Sequence, residues 1–190
     1  MEDLYQLGTP EGRGKLESIA RIVAEKAREV RNEFLKFISG NETLTLDACD
    51  GAKILAEAND VFKYIDSDLK SWGADQRGRA TTETPAEVYE MEKDATFSQM
   101  FSSLTSDVRR LCLTQNQIIG FAKKHRNRLR TDGYGTFFLF ESNGEIFVAS
   151  VRFASDDLLR VGVGRFEYSD VWNAENCHRL VTPKLIVFLL

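Results

Sequence analysis

Residues 133–153 read GYGTFFLFESNGEIFVASVRF, and this stretch decides the fold class. Two runs, 134–141 and 145–153, flank Asn143-Gly144, a strong hairpin signal because both central residues of a type I′ turn need positive φ. In the second run Ile146 and Val148 alternate with Phe147, Ala149 and Val151, so a strand covered on both faces is predicted. ASDD at 154–157 makes the next turn, and LLRVGVGRF at 158–166 reads as a third strand. Its GVG falls inside a strand pattern and suggests a bulge or a close backbone contact. A fourth strand is expected around His178 to Thr182. The closing KLIVFLL at 184–190 fits either a strand or a docked helical turn.

Upstream of residue 130 the period lengthens to three and four. LGTPEGRG at 7–14 is turn material, after which Leu16, Ile19, Val23, Ala27, Val30, Phe34 and Phe37 lie on one helical face ending near Ser39-Gly40. A second helix is predicted from Thr45, with its seam on Leu55, Ala58, Phe62, Ile65, Leu69 and Trp72. GADQRGRATTET at 73–84 has no large apolar side chain and reads as a linker. Thr84, Pro85 and Glu87 then have the spacing of a capped helix start, so a third helix is expected through Val88, Met91 and on to Leu111, bent near Ala95 to Phe101. Thr114 and Gln117 repeat the capping logic for a fourth helix running to about Arg130.

Together these elements predict an α+β protein. Three helices would form a bundle or an antiparallel coiled coil over residues 1–112, with the linker at about 73–84. Residues 113–190 would hold a helix and a small antiparallel β-meander of three or four strands. The meander with DVWNAENCHRLVTPKL at 170–185 resembles a small bacterial or phage-type domain of unassigned role, and no residue acquires a task from that likeness.

Composition narrows the function classes. The longest apolar run is LIVFLL at 185–190, far short of a membrane span, and Glu2 and Asp3 stand where a signal peptide would be basic. Cys49, Cys112 and Cys177 are odd in number and widely spaced, which fits neither a disulfide framework nor a metal motif, so a reducing cytoplasm is expected. The net charge is −4, and it is uneven. Residues 1–110 carry 15 Lys or Arg against 21 Asp or Glu, and residues 111–190 carry 10 against 8. Such a balance speaks against a protein that coats nucleic acid.

One run stands out against that background. Lys123, Lys124, Arg126, Arg128 and Arg130 fall within eight residues. Its plain reading is the wet, dipole-complementing end of the fourth helix. The sharper readings are contact with phosphate or docking on acidic protein, including the acidic stretch of this same chain between Glu42 and Asp68. The two histidines, His125 and His178, match no catalytic or zinc spacing. No catalytic, cofactor or metal residue can therefore be named, and no cofactor is expected.

The leading expectation is a non-enzymatic, cytoplasmic interaction or assembly protein without membrane contact. It would bind a protein partner and self-associate, as a dimer, through the seam from Leu55 to Trp72. A nucleic-acid-associated protein using the 123–130 run is the alternative, and an enzyme of unknown type the third reading.

Overall fold

A computed structural model describes residues 9–40 and 42–185, with the side chains of 21 and 24–31 outside the description. The chain divides into two compact units, residues 1–33 and 34–190. In the first, helix α1 (Pro10–Arg31) starts where Thr9 takes the Gly12 N–H at 3.1 Å and Pro10 occupies the first turn. Leu16, Ile19, Ile22 and Val23 are exposed on it.

α1 does not reach Gly40. Asn32 is already extended, and Leu35, Lys36 and Phe37 form strand β1. Alternation explains the change: Leu35 is buried beside Met91, Lys36 points to water, and Phe37 packs on Tyr89 with ring centroids 5.6 Å apart.

The second unit is built on one mixed sheet rather than on helices. Its strands are β1 (Leu35–Phe37), β2 (Leu44–Leu46), β3 (Phe62–Ile65), β4 (Thr84–Met91), β5 (Thr136–Ser142), β6 (Glu145–Phe153), β7 (Leu159–Arg165) and β8 (Arg179–Pro183). The order is β1-β4-β8-β5-β6-β7-β3, and β2 also pairs with β4. β5–β8 and β3–β7 are parallel, and the other pairings antiparallel. Phe138, Phe140, Phe147, Ala149, Val88 and Val181 line one face, covered by α4 (Gln115–Lys124). Phe137, Leu139, Val148, Tyr89 and Leu180 line the other, covered by α3 (Phe97–Ser102) and Trp172. The sheet therefore has a hydrophobic layer on each side.

This architecture corrects the expected three-helix bundle, coiled coil and small separate meander. Of the expected second helix, only Leu55–Glu57 (a 3-10 turn) and α2 (Asp68–Ser71) are helical, with β3 between them. Leu55, Ala58, Phe62 and Leu69 reach one core from three different elements. Steps of three and four thus arise without a continuous helix. Asn59-Asp60 makes the turn that separates them.

The expected third helix fails for a related reason. Ala86 and Val88 face one layer, Tyr89 and Met91 the other. That spacing mimics a helical stripe but belongs to a strand buried on both faces. The β-branched Val88 and aromatic Tyr89 favour a pleated surface. Thr84 and Glu87 make no capping box. The boxes that do form are Thr96–Gln99 and Thr114–Gln117. β4 also pairs with β8, which joins residues on both sides of the expected boundary at 112 into one sheet. The fourth helix stops at Lys124, and a 3-10 turn, Arg126–Arg128, follows it. The last strand ends at Pro183, and the question of a terminal strand or helical turn at 186–190 lies outside the described residues.

The hairpin turn has the required geometry, with φ of 53° at Asn143 and 79° at Gly144. A second glycine is more tightly constrained. Gly51 has φ 75°, and a Cβ there would meet the Arg79 and Gly78 carbonyl oxygens at 2.4 and 2.5 Å. Gly51→Ala is expected to destabilise the protein by at least about 2 kcal/mol, combining left-handed strain with a backbone clash. A shift of the urea midpoint smaller than that would show that residues 78–79 yield freely.

Candidate functional site

The Thr114 capping box starts α4, and its register sends Ile118, Phe121 and Ala122 into the core while Lys123 and Lys124 project outward from the last turn. There the ammonium groups face the negative end of the helix dipole. They also meet the acidic stretch of the same chain. Lys123 Nζ lies 3.1 Å from Asp60, and Lys124 pairs with Asp47 while donating to Thr45 Oγ1 at 3.1 Å. The Lys123 ammonium holds the Asp60 carboxyl below its usual range.

The rest of the run is similarly engaged. Arg126 lies over the Phe153 ring at 4.8 Å and donates to the Asp157 carbonyl. Arg128 pairs with Glu42. Arg130 donates to the Asn176 carbonyl at 3.1 Å, meets Asp132 at 3.4 Å and covers Tyr134. His125 Nε2 donates to the Thr45 carbonyl at 2.9 Å. All five cations of the run thus have intramolecular partners, four of them carboxylates.

The residues expected to form an oligomer seam are placed differently. Leu55, Ala58, Phe62 and Leu69 are buried in the core. Ile65 and Trp72 are half-buried against it. They do not make one surface stripe, because the continuous helix that would align them is absent.

The densest polar–aromatic cluster was not visible in the spacing of any motif. His178 begins the approach to β8 and is 2% exposed. Its ring stacks on Phe137 at 5.0 Å and meets Trp172 edge-on at 5.0 Å and Tyr134 at 5.8 Å. Gly135 N–H donates to Nδ1 at 3.0 Å, so the neutral ring carries its proton on Nε2. Neither Nε2 nor Trp172 Nε1 has a hydrogen-bond partner among the described residues. Burial, followed by the Arg152 and Arg130 charges, pushes the His178 pKa down to about 4. This imidazole is therefore a packed, neutral ring at pH 7. The aromatic crowding of residues 137–172 was the only advance signal, since the rings come from two stretches, 134–137 and 172–178, that the β5–β8 pairing brings together.

The thiols do not complete a nucleophilic pair with it. Burial, then the Glu141 charge, pushes the Cys112 thiol up to about 12. Cys177, held in the left-handed region at φ 47°, turns its Sγ toward the Glu175 carbonyl at 3.7 Å. Among the described residues no group of three His, Cys, Asp or Glu could hold a metal ion. No helix among them is long and apolar enough to cross a membrane. No family model, curated protein or solved structure matches the chain.

Two outcomes follow. Exposed ion pairs contribute little, so Lys123→Ala with Lys124→Ala should lower stability by no more than about 1 kcal/mol in a urea titration. A larger loss would make the Asp47 and Asp60 contacts structural anchors. His178 acts in the opposite regime. Its folded pKa lies below the unfolded value, so the unfolded chain binds more protons between these pKa values. Stability is present above pH 6.5 and falls as the pH drops toward 4, by roughly 3 kcal/mol for this group. In His178→Gln, whose side-chain carbonyl can still accept the Gly135 N–H, that loss should be absent, so the wild-type-minus-variant stability difference should fall by roughly 3 kcal/mol from pH 7 to 4. A difference that stays flat from pH 7 to 4 would rule the assignment out.

Proposed function

We propose that this is a non-enzymatic assembly protein that self-associates through α1. One observation carries the reading: Leu16, Ile19, Ile22 and Val23 are 44%, 58%, 54% and 60% exposed along one side of a single helix. Four large aliphatic side chains at steps of three and four make an apolar stripe that water disfavours, at about 25 cal/mol per Å². Leu16 and Val23 are one heptad apart, the interval at which helices pack along a seam. A second copy presents the same stripe and suits a two-fold pairing, so a dimer is the simplest assembly.

The non-enzymatic part rests on the histidines and thiols. His125 is bonded to a strand carbonyl, His178 is buried with Nδ1 occupied, and the Cys112 thiol is held protonated. Cys49, Cys112 and Cys177 are all free, which supports a reducing, cytoplasmic setting. The 123–130 run gives little support to the nucleic-acid reading, because carboxylates of the same chain already neutralise most of its charge.

Sedimentation of the full chain should show a dimer at tens of micromolar. Leu16→Glu with Val23→Glu should weaken self-association by about 100-fold or more, with the melting of the 34–190 unit unchanged. A wild-type chain that remains a strict monomer would remove the reading.

A further inference from the structure

We propose that Arg152 and Arg160 form a binding site for a phosphate group carried on a small molecule. The two arginines are direct cross-strand partners on β6 and β7. Like charges placed opposite each other on one sheet face repel. Three other arginines of the unit are relieved by carboxylates: Arg109 by Glu141, Arg165 by Glu145 and Arg179 by Glu90. No carboxylate comes within ion-pair distance of Arg152 or Arg160 among the described residues.

Arg152 is also held in place. Its Nε donates to Ser150 Oγ at 3.0 Å, and its guanidinium lies 5.5 Å from the centre of the Trp172 ring. This leaves the two terminal nitrogens without an acceptor among the described residues. Burial, then the Arg160 charge, lowers the guanidinium's proton affinity. The Arg160 side chain is exposed and makes no hydrogen bond or ion pair among the described residues. A half-buried cation facing a second cation is a costly arrangement unless an anion joins it.

No large side chain fills the sheet face beside the pair. The next rung on the same face matches Ser150 with Gly162. A Cβ on Gly162 would touch only Asp66 Oδ2, at 3.6 Å. The neighbouring groups do not supply the missing charge. Asp66 turns its oxygens to the Asp68 and Val163 N–H groups at 3.0 and 3.4 Å. Tyr64, beside Arg160 on β3, directs its hydroxyl to Asp156. His178, against Trp172, is neutral, and Arg130 is paired with Asp132.

Two guanidinium groups match a phosphomonoester, which carries −1.5 to −2 charges and three acceptor oxygens, better than a singly charged carboxylate. A nucleic-acid backbone would need a continuing track of free cations. Here the adjacent basic run is neutralised, and the chain carries a net charge of −4.

The test uses the full chain and inorganic phosphate, against chloride at matched ionic strength and pH 7.5, read by thermal shift and calorimetric titration. Phosphate should raise the wild-type melting temperature above that in chloride. Arg160→Gln changes an exposed side chain, so it should fold. It should melt at or above wild type in chloride, as the repulsion is relieved, and bind phosphate at least about tenfold more weakly. An equal phosphate response in both proteins, or none in wild type, overturns the site. So does tighter, steeply salt-dependent capture of a single-stranded oligonucleotide that Arg160→Gln abolishes, which would make the ligand a polyanion.

Discussion

The insertion of β8 between β4 and β5 is the constraint on which the folded unit depends. β8 pairs antiparallel with β4 and parallel with β5. Without it, β1, β2 and β4 would be separated from the β5-β6-β7-β3 half of the sheet. Leu180 and Val181 are fully buried in opposite layers, so these two adjacent residues tie both hydrophobic layers to one strand. Every contact β8 makes with β4 spans roughly half the chain. Such pairing must overcome a large loop-closure entropy before it is rewarded, which favours slow folding.

The same return of the chain sets the position of the polar groups. His178 sits just before β8, and its Nδ1 takes the N–H of Gly135 just before β5. Parallel strands entering side by side therefore bring His178 to Phe137, Tyr134 and Trp172. Farther across the sheet, the β6–β7 register sets Arg152 against Arg160. Burial then separates the outcomes. The imidazole loses its charge, while a guanidinium, far more basic to begin with, keeps its own.

Electrostatic self-neutralisation accounts for much of the remaining surface. The acidic stretch that includes Glu42, Asp47 and Asp60 folds against Lys123, Lys124 and Arg128. Each such pair is exposed on at least one side and contributes little to stability. Their larger effect is on recognition, because the strongest run of positive charge in the sequence carries a much weaker field than its composition suggests.

Local chemistry could be read directly where neighbouring residues supply both partners. Asn143-Gly144 provides its own positive φ, and Thr114 with Gln117 provides both halves of a capping box. The β5–β6 hairpin and the start of α4 were legible for that reason, as were the five cations of the 123–130 run. The helices predicted over 45–72 and 84–111 were not reliable, because a stripe at steps of three and four does not say which element carries it. In Leu55, Phe62 and Leu69 that spacing comes from a 3-10 turn, a strand and a short helix converging on one core. In β4 it comes from a strand with both faces covered. The carboxylates that meet the basic run, the aromatic shell of His178 and the Arg152–Arg160 pair depend on contacts between residues distant in sequence or on strand register. Long-range pairing sets those contacts, and the side-chain types at each position leave them open.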